Sequence, residues 1–192
     1  MADAKKLNVL VICGSLRKGS INKAVARTLP ELAPPGMTLK DAPPFDVFPL
    51  YNADHHQATV FPAPVTALAD AIRAADGVII VSPEYNYSVP GALKNAIDWV
   101  SRLKDQPFKD KPVAMQSASG GPLGAARMQY HLRQILVFLE AFIFTRPEVF
   151  VTFAPTKIDE KAGKLKDEPT REIIKTQLAL FAKFIERVAP KG

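Results

Sequence analysis

The segment Gly14-Ser15-Leu16-Arg17-Lys18-Gly19-Ser20-Ile21-Asn22 follows a short apolar run and opens a helical pattern. Free backbone N–H groups at a helix N-terminus favour an anion, by about 0.3–1 kcal/mol when exposed and up to about 2 when partly buried. Ser15, Ser20 and Asn22 can donate hydrogen bonds and Arg17 can neutralise charge, so the segment reads as a phosphate-binding loop. An ordinary serine N-cap in a β–α turn accounts for the same residues, and the neighbouring segments have to decide between the two. The Gly14-x4-Gly19 spacing resembles a nucleoside-triphosphate loop, yet Ser20-Ile21 stands where Lys-Ser/Thr would reach the terminal phosphates. Leu16 occupies the second glycine position of the dinucleotide pattern Gly-x-Gly-x-x-Gly. A monophosphate held without magnesium fits what remains.

Two further segments favour a ligand. Ser82-Pro83-Glu84-Tyr85-Asn86-Tyr87-Ser88-Val89-Pro90-Gly91 carries two prolines that stiffen a turn and two tyrosines that can pack on a flat heterocycle, whose edge the backbone can hydrogen-bond. Ser117-Ala118-Ser119-Gly120-Gly121-Pro122-Leu123-Gly124 is built of small residues that let backbone approach a ligand closely.

Positioning these segments at one place requires particular elements. Leu7 to Cys13, Gly77 to Val81, Pro112 to Gln116 and Glu148 to Phe153 read as strands, with Thr38 to Lys40 a weaker one placed second. Helical faces are marked by Ile21 to Leu32, Val65 to Ala75, Leu93 to Val100, Met128 to Ile143 and Ile174 to Val188. Asp41 to Phe61 and Ala154 to Pro169 read as irregular. Strands alternating with helices predict an α/β fold, a doubly wound five-stranded parallel sheet in the flavodoxin-like order 2-1-3-4-5. In such a sheet ligands lie beyond the carboxyl ends of the strands, where all three segments fall.

Composition limits the alternatives. At 192 residues the chain is expected to be one domain, and its 25 Lys+Arg against 19 Asp+Glu give a net charge of +6. The cations near the C-terminus are interleaved with acids, as on a solvated face, so the charge suits anionic small molecules better than nucleic acid. One cysteine forms no internal disulfide and no secretory apolar segment precedes Leu7, so a cytoplasmic setting is expected. The apolar stretch Ile135 to Phe144 is about half the roughly 20 residues of a membrane helix. Cys13 reads as a small buried hydrophobe, His55-His56 as exposed neighbours, and Trp99 as core before cofactor stacker. Pro43, Pro44, Pro49, Pro83, Pro90 and Pro122 are expected in loops around the ligand.

Gly14-Ser15-Leu16-Arg17 with Ser20 and Asn22, Pro49-Leu50-Tyr51-Asn52, Ser82 to Gly91 running into Leu93-Lys94-Asn95-Ala96-Ile97-Asp98-Trp99, and Gly124 to Arg133 together resemble the NADPH-dependent FMN reductase family, nearest its chromate or quinone reductase branch. The resemblance spans roughly residues 7 to 153. It implies FMN as cofactor, with the phosphate at Ser15, Arg17, Ser20, Ile21 and Asn22, the isoalloxazine at Pro83, Glu84, Tyr85 and Asn86, and Ser117 and Gly120 near the ring or ribityl chain. Gly120 to Ala125 departs from the family's glycine pattern. The resemblance further implies NADPH or NADH as donor, quinones, metal oxyanions such as chromate, or azo and nitro compounds as acceptors, and a homodimer or homotetramer. Tyr87, Arg127, Tyr130 and Glu148 are expected near such an interface. A flavodoxin-type electron carrier shares the fold, but carriers of that kind are commonly acidic.

Overall fold

The structure, a computed structural model, describes residues 6–56 and 61–189. Its elements are β1 (Leu7–Cys13), α1 (Ile21–Leu32), β2 (Met37–Asp41), α2 (Ala53–His56), α3 (Ala63–Ala74), β3 (Gly77–Ser82), α4 (Gly91–Val100), β4 (Pro112–Ala118), α5 (Ala126–Phe138), β5 (Phe142–Ile143), β6 (Val149–Val151), α6 (Ala154–Lys157), β7 (Ile158–Asp159), β8 (Lys164–Leu165) and α7 (Glu168–Val188). The main sheet is parallel in the order β2-β1-β3-β4-β5, with β6 also on β4. This is the flavodoxin-like architecture that the sequence predicts.

Strand side chains alternate between faces, and each face has its own core. Leu10, Ile12, Val78, Ile80, Val113 and Met115 pack against Leu68, Ile72, Leu93, Ile97, Leu132 and Leu136 of α3, α4 and α5. Val9, Val11, Ile79, Val81 and Ala114 pack against Val25, Leu29, Ile174, Leu178 and Phe181 of α1 and α7. Full burial of each such side chain contributes about 1.5–3 kcal/mol, so the strand ends and the loops on them rest on two packed layers.

Four sequence expectations need correction. The helix predicted to reach Ile143 ends at Phe138. Glu140 adopts φ 57°, its N–H bonds the Val137 carbonyl at 3.0 Å, and the Ala141 N–H bonds the Leu136 carbonyl at 3.1 Å. That is a Schellman stop with glutamate in the place usually held by glycine. The fifth strand position is shared by two short segments: β5 pairs with Pro112 and Val113, and β6, shorter than the predicted Glu148–Phe153 run, pairs with Gln116 to Ala118. The predicted irregular stretch 154–169 holds α6 and the β7–β8 hairpin, which Thr28 Oγ1 anchors by accepting from the Leu165 N–H at 2.9 Å. The stretch 41–61 contains α2, and its residues 57–60 lie outside the described ones.

Candidate functional site

The loops after β1, β3 and β4 meet at the carboxyl edge of the sheet. Their convergence depends on Gly14, where a Cβ would lie 2.3 Å from Ser82 Oγ, and whose N–H bonds the Val81 carbonyl at 2.9 Å. Any side chain there would separate the ends of β1 and β3.

The β1–α1 loop ends on Ser20, the N-cap of α1, whose Oγ accepts from the Lys23 N–H at 3.2 Å. The N–H groups of Ile21 and Asn22 are first-turn donors that no carbonyl of the helix can reach. Ser15 is nine-tenths buried, yet its hydroxyl has no hydrogen-bond partner among the described residues. Arg17 and Lys18 are exposed and unpaired there too. Asn22 is placed differently from its predicted role as a phosphate donor. Its Nδ2 donates to the Ala118 carbonyl and its Oδ1 accepts from the Ala118 N–H, both at 3.0 Å, in a buried pair joining α1 to the end of β4. The side chain therefore sets the separation of two site loops.

The β3–α4 loop is a tight turn in which Tyr85 and Ser88 exchange both backbone hydrogen bonds at 3.0 Å. Asn86 and Tyr87 sit at φ 48° and 69°, the two left-handed positions of a type I′ turn. Tyrosine is costly in that conformation, and the Arg127 guanidinium packs over its ring at 3.5 Å from the centroid. Glu84 turns its buried carboxylate to α5, accepting from Arg127 Nε at 2.6 Å and from the Met128 N–H at 3.2 Å. The residue before α5, Ala125, cannot cap it, so Glu84 supplies from another loop the negative charge that a helix N-terminus favours. The Glu84 side chain thus braces the two loops, and its backbone with that of Pro83, Tyr85 and Asn86 borders the cleft. Tyr85 is half exposed.

The β4–α5 loop is closed from within. Ser117 is fully buried, donating to the Gly124 carbonyl at 2.6 Å and accepting from Gln129 Nε2 at 2.8 Å. Its hydroxyl does not reach the cleft surface, because both hydrogen bonds hold it inward. Gly124 has φ 55°, and a Cβ there would lie 2.8 Å from the Phe150 backbone, so the loop passes against β6 only as glycine. Gly120 is exposed on the rim. A pocket of about 320 Å³ lies between these two loops, lined by Glu84, Ser119, Gly121, Pro122, Leu123 and Arg127 among others. Ser119 and Arg127 were not singled out for this site by residue type; Ser119 sits in the small-residue segment, and the spacing of Glu84 and Arg127 gives no local signal.

Of the six prolines expected around the ligand, Pro43 and Pro44 line a cleft beside β2 that Ser15, Arg17 and Ser20 of the β1–α1 loop also line. The Pro49 carbonyl accepts from Trp99 Nε1 at 2.7 Å and Asn95 Nδ2 at 2.9 Å, fixing its loop on α4. Cys13 is half-buried, and burial pushes its thiol up from the ordinary value, which disfavours the nucleophilic thiolate. No helix among the described residues is long and apolar enough to cross a membrane.

Known proteins share this arrangement. The sequence model of the family described as NADPH-dependent FMN reductase matches residues 7–156. A quinone reductase of Escherichia coli (strain K12) is 54% identical over 185 residues, covering 96% of this chain and 98% of its own. An NAD(P)H-dependent FMN reductase of Pseudomonas aeruginosa is 46% identical over 182 residues, 95% of this chain and 97% of its own. Among solved structures, a flavoenzyme NAD(P)H:(acceptor) oxidoreductase from Paracoccus denitrificans superposes with a TM-score of 0.82 at 33% identity, covering 94% of this chain and 98% of that one.

Proposed function

The chain belongs to the NADPH-dependent FMN reductase family, and on that premise we propose that it is an FMN-dependent NAD(P)H oxidoreductase that delivers electrons to quinones. The observation that carries this reading is the pairing at one sheet edge of the unpartnered hydroxyl of the largely buried Ser15 and unpaired Arg17 with a braced, rigid turn at Tyr85–Ser88. The donor set suits FMN: a monophosphate needs hydroxyls, backbone N–H groups and one cation, and a flat ring needs a fixed backbone edge.

When bound, FMN supplies the acceptance of hydride from the nicotinamide and the delivery of electrons onward. The protein's part is placement. Ser15, Ser20, Arg17 and the N–H groups of Ile21 and Asn22 hold the phosphate. The loop residues Pro83, Glu84, Tyr85 and Asn86 would border one edge of the ring, with the N–H groups of Glu84 and Asn86 as its donors because the Tyr85 N–H is spent on Ser88, and Ser119, Gly120 and Gly121 would border it from the other loop. No protein nucleophile or proton relay is required. The half-exposed Tyr85 and the open rim leave room for donor and acceptor to use the same place in turn. Small oxidants besides quinones, including chromate and azo or nitro compounds, fit such an open face, and unpaired cations on its rim favour the anionic ones.

The assembly is a homodimer or homotetramer in this reading. Its support is Val137 and Phe138, 65% and 81% exposed at the end of α5 while Leu136 and Leu139 are buried. Tyr87, Arg127, Tyr130 and Glu148 lie on the neighbouring surface, with Tyr130 Oη 3.4 Å from the Glu148 carboxylate. Light scattering expects a multiple of the chain mass, and a single-chain mass rejects the assembly.

Steady-state oxidation of NADPH by a quinone tests the activity. Turnover should require added FMN in the stripped protein and give parallel lines in double-reciprocal plots, since donor and acceptor alternate. Turnover independent of FMN would reject the proposal.

A further inference from the structure

On the β2 side of the β1–α1 loop lies a cleft of about 580 Å³, larger than the pocket between the β3 and β4 loops. It runs from the loop, whose Ser15 and Ser20 line its near end, along the flank of α1, with Cys13 of β1 and the segment Asp41 to Asp46 from the end of β2 also lining it. Its size suits a small-molecule site. Four cations line it, Arg17 and Lys18 from the loop and Lys23 and Arg27 from α1. None has an ion-pair or hydrogen-bond partner for its side chain among the described residues. Some other surface cations of this chain do find acids: Arg73 meets Asp70 at 2.8 Å, Lys94 meets Asp98 at 2.7 Å and Arg171 meets Glu31 at 3.3 Å.

Lys23 and Arg27 stand four residues apart on one face of α1, an arrangement in which like charges repel. The opposite wall carries Asp41 and Asp46 on either side of Ala42-Pro43-Pro44-Phe45. These carboxylates form no ion pair with the four cations among the described residues. One wall suits phosphate. The other offers carboxylates that accept from ribose hydroxyls or an exocyclic amine, beside prolines that pack on a flat base. Phosphate, sugar and base side by side are the chemistry of a phosphorylated adenosine.

We infer that the far end of this cleft takes the 2′-phosphorylated adenosine end of the NADPH donor, with Lys23 and Arg27 on the 2′-phosphate and Lys18 steering the diphosphate across the loop. The inference rests on the proposed NAD(P)H oxidation. The cleft begins at the loop that holds the FMN phosphate, since Ser15 and Ser20 line its near end, so a donor with its nicotinamide over the ring site extends past Lys18 to reach the far end at Lys23 and Arg27.

The probe is adenosine 2′,5′-bisphosphate, used on the FMN-loaded protein. It should inhibit competitively against NADPH and bind directly by calorimetry. Lys23→Ala and Arg27→Ala should each weaken that binding at least tenfold and lower the NADPH-to-NADH preference, as a ratio of kcat/KM, by a similar factor. Because both residues are exposed on α1, folding of the variants is checked by their retained FMN content and helical circular dichroism. Unchanged bisphosphate affinity in both variants, an unchanged preference, or inhibition that does not compete with NADPH would overturn the inference while leaving NADPH oxidation standing. Wild-type, FMN-loaded protein that oxidises neither nucleotide would instead overturn the functional reading itself.

Discussion

The loops after β3 and β4 and the loop after β1 border the same sheet edge but are built on opposite principles. The first two are saturated with contacts of their own: Glu84 to Arg127 and Met128, Arg127 over Tyr87, Ser117 to Gly124 and Gln129. The third is fixed at its ends, by Gly14 on Val81 and by Ser20 and Asn22 on α1 and β4, while Ser15, Arg17 and Lys18 between them have no side-chain partners among the described residues. A flat ring whose electronics are tuned by its hydrogen bonds profits from rigid backbone set before binding. A phosphate carries its own charge and acceptors, so side chains left unpaired toward it are satisfied on binding. Removing a residue from the braced region should therefore reach stability, and removing one from the unpaired region should reach ligand affinity alone.

The largest effect is expected where the two regions are tied together. Asn22→Ala leaves the buried N–H and carbonyl of Ala118 without partners, and should cost about 2–5 kcal/mol of unfolding free energy in urea titration, along with FMN affinity. An unchanged midpoint would show that the tie carries no stability. Glu84→Gln comes next. It removes the charge that meets Arg127 and the α5 N-terminus, and should destabilise by about 1–2 kcal/mol, Arg127 being partly solvated. FMN binding should weaken with it as the Tyr85–Ser88 turn loses its brace.

Arg17→Ala breaks the comparison on the other side. FMN affinity should fall about tenfold, as expected for losing one charge-assisted contact of about 1.4 kcal/mol, with the urea midpoint of the cofactor-free protein unmoved. A shifted midpoint there would contradict the division between the two regions.

The smallest effect lies far from the site. The Thr170 hydroxyl and N–H donate to Asp167, and with nearby Lys157 they hold its carboxyl below the usual aspartate range. Because the folded value lies below the unfolded one, this contribution is present above the ordinary aspartate value and is lost as pH falls through the depressed value. Asp167→Ala, which removes the N-cap of α7, should cost about 1 kcal/mol at neutral pH. The deficit against wild type should shrink on acidification, and a constant deficit down to strongly acid pH would contradict the assignment.

The same contrast explains what could be read from the sequence. β1, β3 and β4 were legible because strands buried on both faces are continuous apolar runs, and the turn from β1 into α1 because a helix start next to a strand end advertises itself locally. The end of α5 was not, since its stop uses Glu140 where glycine would have been the signal. β5 and β6, with two and three residues, are too short to carry a period. The partners that the side chains of Asn22, Glu84 and Ser117 take were not legible, for one reason. Each side chain is taken up by a partner fixed only by the fold, and for Asn22 that partner lies 96 residues away. The cleft beside β2 was invisible for the same reason, because its cations and carboxylates come from separate elements.

Anaerobic stopped-flow mixing of the FMN-loaded protein with NADPH, followed by a second mix with a quinone, tests the central claim most directly. Rapid loss of the oxidised-flavin absorbance on the first mix and its return on the second are the predicted result. Flavin absorbance that NADPH leaves unchanged would contradict the claim and would fit a carrier that takes its electrons from another protein.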